Sequence, residues 1–63
     1  MKNKLDYIAV EVSSSKEGDF LKAFALAWQL ADSFNKRILT PAWLVLIDKY
    51  GLEKYLSKED SHV

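Results

Sequence analysis

No cysteine occurs in this chain of 63 residues, and that constrains its folding more than any other feature. A domain this small sits near the lower limit at which an apolar core alone offsets the entropy of ordering the backbone. Small domains gain the missing stability from disulfides, structural metals or association, and without thiols the first is closed along with thiolate metal sites. Association with a second copy or with another protein is what remains. The chain reads as one small domain over 1–63, with an ordered core at 5–57 and a polar tail at 58–63.

Composition agrees with that reading. Hydrophobic residues make up 49% of the chain, including two Trp, three Tyr and three Phe, a generous supply for so little interior. Nine basic and nine acidic side chains cancel, so no long-range field gathers nucleic acid, anionic lipid or a charged substrate. Met1-Lys2-Asn3-Lys4 resembles the basic start of an export signal, but Asp6 and Glu11 interrupt the apolar stretch such a signal needs. The longest apolar run, Ala42 to Ile47, is far short of the roughly 20 residues of a membrane-spanning helix. A cytoplasmic protein that does not engage membranes is the expectation.

Residues Leu5 to Val12 are rich in β-branched and aromatic types and alternate, with Ile8, Val10 and Val12 on one side and Leu5, Tyr7 and Ala9 on the other. This predicts a strand that needs a partner to satisfy its backbone. Ser13 to Asp19 is a polar connection in which Ser14-x-x-Glu17 has the spacing of a capping box and Asp19 is an alternative cap. Phe20 to Asn35 holds four alanines and neither Gly nor Pro, which predicts a helix. Its apolar arc, through Phe34, Phe20, Phe24, Trp28 and Leu21 and widened by Leu26 and Leu30, exceeds half the circumference. A stripe that wide implies contacts on two sides, one of them with a second chain.

Thr40-Pro41 reads as a cap with proline at the first helical position. A second helix then follows through Trp43, Leu46, Ile47 and Tyr50, with Gly51 as its left-handed stop and a short third helix over Leu52, Tyr55 and Leu56. The predicted fold is therefore α+β and mainly helical: an N-terminal strand, two helices and a short third (β-α-α), completed by strand pairing or helix packing in a dimer. An alternative makes Trp43 to Ile47 a second, buried strand in a β-α-β unit, since a short apolar run suits either structure.

Little in the chain carries chemistry. The single histidine, His62, lies in the polar tail, where nothing holds a general base in place. Glu59-Asp60 and Glu17-x-Asp19 lack the spacing of a calcium loop. Ser13-x-x-Lys16 matches a serine–lysine pattern by chance, without the large scaffold and further motifs that chemistry requires. Lys36-Arg37 is explained as cations at a helix C-terminus. No catalytic, metal or cofactor site is predicted, and no small-molecule substrate.

Six residues stand out as interface candidates: Ile8 and Val10 on the predicted strand, Trp28 and Trp43 as large anchors, and Tyr50 and Tyr55 with hydroxyls that can stay wet. The two indoles suit a core equally well. The function expected is a non-catalytic interaction module, a homodimer or an accessory subunit of a larger protein, docking through aromatic and aliphatic surface. The alternative is a regulator with the architecture of ribbon-helix-helix DNA-binding dimers. It fits poorly, because the strand presents Ile8, Val10 and Val12 beside the acids Asp6 and Glu11 where a groove-reading face needs donors, so nucleic acid is not the expected partner.

Overall fold

A computed structural model describes residues 3–57 as four helices: α1 (Lys4–Ser13), α2 (Asp19–Leu30), α3 (Ser33–Lys49) and α4 (Lys54–Ser57). No strand is present among the described residues. The α+β reading is thus overturned at both of its strands, and the strand pairing expected to complete it falls away. The tail at 58–63, including His62 and Glu59-Asp60, lies outside the described residues.

The first strand is the helix α1. Leu5, Ile8, Ala9 and Val12 also follow the i, i+3, i+4, i+7 spacing of a helix face, and Ile8, Ala9 and Val12 are buried together. Packing on that face outweighs the β-preference of isolated Val and Ile, which is weak and depends on context. Asn3 caps the helix, its Oδ1 accepting the Asp6 N–H at 2.9 Å, and Asp6 adds an anion in the first turn, where the helix dipole favours it. Ser14, expected in a capping box, is instead the C-terminal cap of α1, and α2 starts from Gly18 without a side-chain cap bond.

The helix predicted over 20–35 breaks at Ala31 and Asp32. Asp32 Oδ1 accepts the Asn35 N–H at 2.8 Å and caps a new helix, so Phe34 belongs to α3 rather than to the stripe of α2. Thr40-Pro41 does not start a helix but lies inside one. Proline removes the bond to the carbonyl four residues back, here Arg37, and both residues are exposed, on the side of the helix away from the core. The Thr40 hydroxyl adds a bond of its own to the Lys36 carbonyl at 2.6 Å. The alternative strand, Trp43 to Ile47, is part of the same helix: Trp43 and Ile47 point inward while Leu44 and Val45 are exposed.

The stop at Gly51 is where the glycine predicts it. Its φ of +64° is a conformation side chains disfavour. Around it Leu52 N–H reaches the Ile47 carbonyl at 2.9 Å and Gly51 N–H the Asp48 carbonyl at 3.3 Å, the two bonds of a Schellman motif. The motif turns Leu52 into the core, where it is fully buried, and delivers the chain to α4.

The core comprises Ile8, Ala9 and Val12 of α1, Leu21, Ala25 and Trp28 of α2, Trp43 and Ile47 of α3, and Leu52. Buried Ala9 and Ala25 let the backbones of α1 and α2 approach closely, and α1 also contacts α4. By contrast α3 is held through long side chains. Trp43 stacks on Phe24 at 5.3 Å and lies 6.2 Å from Trp28 between ring centroids. Each buried indole withdraws on the order of 200 Å² from water, about 5 kcal/mol before ordering costs. No helix among the described residues is long and apolar enough to cross a membrane.

Candidate interaction surface

Polar side chains at the margin of the core close the fold on itself. Asp6 of α1 accepts the Trp28 indole N–H at 2.8 Å and the Lys36 ammonium at 2.9 Å on the same Oδ1, joining three helices at one atom. Withdrawal from water pushes the Asp6 pKa up. The Lys36 hydrogen bond, the indole donor, the Lys36 charge and a bond from the Asn3 backbone together outweigh it and hold the carboxyl below its usual range. Lys36 also lies 5.6 Å above the Trp28 ring, so this lysine, read from sequence as a helix C-terminal cation, is instead a tie between α3 and α1.

Three further contacts act in the same way. Gln29 Nε2 donates to the Ala9 carbonyl at 3.2 Å and to Ser13 Oγ at 3.1 Å, bridging α2 to α1. Trp43 Nε1 donates to the Leu5 carbonyl at 3.2 Å. Glu17, in the α1–α2 connection, accepts the Tyr55 hydroxyl at 2.7 Å and pairs with Lys54 at 3.1 Å. The Tyr55 bond, followed by that from Lys54, lowers the Glu17 pKa against a smaller desolvation, and Glu17 in turn raises that of Lys54.

The six residues singled out from sequence divide accordingly. Ile8, Trp28 and Trp43 meet in the core, each at most 2% exposed. Val10 and Tyr55 are half-buried, and Tyr55 is engaged with Glu17. Of the six only Tyr50 is fully at the surface, with the Lys49 ammonium 5.7 Å from its ring. The structure therefore does not gather these residues into one surface.

A surface of another composition lies on the far side of α2 and α3. The residues of α2 that face away from its buried stripe are Phe20, Ala23, Leu26, Ala27 and Leu30, all exposed. On α3, opposite Trp43 and Ile47, the outward positions are Phe34, Ile38, Pro41, Ala42, Val45 and, at the C-terminal end, Lys49. Leu30 is 78% exposed, Phe34 and Val45 64%, and Ile38 60%. Between the helices runs an open groove of about 400 Å³ lined by Ala27, Leu30, Ala31, Asn35, Ile38 and Leu39. Its lining offers one amide and no titratable group, so its chemistry is apolar burial.

This surface was partly legible. The excess width of the apolar arc pointed to contacts on two sides, but Phe34 was assigned to the wrong helix, and Ile38 and Val45 were not singled out. The 3.6-residue period of Phe34, Ile38, Pro41 and Val45 was the available signal. No family model, curated protein or solved structure matches this chain.

Proposed function

We propose that this chain is a non-catalytic protein–protein interaction module that docks through the outer face of α2 and α3. One observation carries the reading: a row of large apolar side chains, Leu30, Phe34, Ile38 and Val45, is turned to solvent on a domain whose own core is already filled. Monomeric proteins rarely leave a contiguous apolar patch larger than a few hundred Å² uncovered, and larger ones mark interaction sites. The polar side chains that might otherwise serve a site, Asp6, Lys36, Glu17 and Gln29, are occupied in holding helices together.

The test is the size of the native complex. Epitope-tagged chain in extracts of its own cells is expected to elute from gel filtration well above its own mass. The Ile38→Glu and Val45→Glu variants, whose changes lie at exposed positions, are expected to elute as free chain with the same helical circular dichroism. A native chain that elutes alone at its endogenous level overturns the proposal.

A further inference from the structure

We infer that the occupant of this face is a second copy of the chain, with the two α3 helices packed antiparallel about a two-fold axis level with Ala42 and Trp43. The inference rests on the docking reading above and names the partner. It starts from the distribution of charge beside the apolar stripe. Arg37 and Asp48 both border the stripe and are exposed. They are 11 positions apart, and at 100° per residue that separation brings them within about 20° of one another seen down the helix, on the same edge, with about 16 Å of rise between them.

In an antiparallel pair related by a two-fold axis, an edge of one helix lies beside the same edge of its partner, running in reverse. Positions equally far from the axis then meet. With the axis at Ala42–Trp43, midway between the two charges, Arg37 of each copy faces Asp48 of the other, so one choice of register forms two opposite-charge pairs. The outward residues nearest the axis, Pro41 and Ala42, are small, and Trp43 points into the core, so no long side chain holds the helices beyond the usual 8–10 Å. Ile38 and Val45 fall on either side of it, where their side chains fill the seam. The groove beside Leu30 and Ile38 comes opposite the C-terminal half of the other α3.

Area and net charge agree with this occupant. Phe34, 64% exposed, alone offers roughly 100–160 Å². Together with Leu30, Ile38 and Val45, each at least 60% exposed, and with the flanking Ala42, Arg37 and Asp48, the face is of the order of the ~800 Å² per partner of a standard interface. A chain whose charges sum to zero meets no long-range repulsion from its copy. A membrane surface suits the face less well, because its border alternates Arg37, Asp48 and Lys49 where anionic lipid selects a basic rim.

Sedimentation of the purified full-length chain from 1 to 200 µM, with charge reversals, decides the matter. The expected result is a concentration-dependent dimer. Arg37→Asp and Asp48→Arg each weaken it by about tenfold, since each turns two attractive pairs repulsive, and the double reversal restores it. Val45→Glu weakens it by about a hundredfold or more by placing a carboxylate in the seam, with helical content unchanged. A wild-type chain that stays monomeric throughout overturns the inference, as does a double reversal no tighter than either single one. A monomer that still enters a larger complex in native extracts leaves the docking reading standing with a different partner, and one that instead sediments with phosphatidylserine vesicles assigns the face to lipid. A monomer that does neither removes both readings.

Discussion

The two sides of α3 differ in what they ask of their surroundings. On the inner side, Lys36, Trp43 and Ile47 meet a carboxylate, a backbone carbonyl and a filled core, so polar donors fix the geometry while indoles supply the burial. On the outer side, Phe34, Ile38 and Val45 meet water, and no polar group dictates an arrangement. Directional bonds specify one structure within the chain, whereas an apolar face with charges only at its border gains free energy only when something covers it. The inside of the helix is packed and bonded, and the outside is apolar and open to water.

That contrast can be broken or sharpened experimentally. Trp43→Ala should have the largest effect, about 3–5 kcal/mol for emptying a fully buried indole site, against a total of about 3–9 kcal/mol for a domain of this size. The midpoint of urea unfolding, followed by far-ultraviolet circular dichroism at 25 °C, should fall by about half or more. Asp6→Ala should come next, at about 1–3 kcal/mol by urea denaturation, because it strands the buried Trp28 N–H as well as Lys36. Asp6→Asn should cost less, since an amide oxygen still accepts the indole.

The pH dependence of stability should follow the same ties. Asp6 and Glu17 both have folded pKa values below their ordinary ones, so the stability they contribute is complete above the unfolded carboxylate value near 4. It drains away as pH falls from there through the lower folded values. Urea midpoints from pH 6 to 2 should drop in that window, and the Asp6→Asn, Glu17→Gln double variant should flatten the profile. Gly51→Ala should cost about 1–2 kcal/mol for forcing a side chain into left-handed backbone. Smallest of all, Val45→Glu should leave the stability of the dilute monomer within about 0.5 kcal/mol. A loss of 2 kcal/mol or more there would show that the outer side of α3 is part of the fold, and the contrast drawn above would fail.

Much of the helical framework could be read from residues alone. The alanine-rich segment of α2, the polar connection before it and the left-handed stop at Gly51 each depend on local chemistry that acts regardless of context. The start of α1 was misread because Ile8, Val10 and Val12 alternate while Leu5, Ile8, Ala9 and Val12 recur with helical period, and only packing against Leu21 and Ala25 selects between the two patterns. Pro41 misled for a related reason: proline opens helices readily, but on an exposed face one also persists within a helix when the buried side holds it. The ties through Asp6 and Glu17 span 22 to 38 positions, a separation that no local pattern reports. For the surface itself, an excess of apolar residues was visible, but which of them faced outward required the break at Asp32.

The pairing of the two indoles also has a spectroscopic consequence. Trp28 and Trp43 are the only tryptophans in the chain, and both are buried, 6.2 Å apart. Indole emission and the indole bands of the near-ultraviolet ellipticity therefore report the integrity of the interior, while the outer face of α2 and α3, which carries no indole, is dark to both. Opening the interior should shift the emission to longer wavelength, whereas covering or uncovering the outer face should leave it in place. The molecule thus contains an optical probe of its interior that needs no added label.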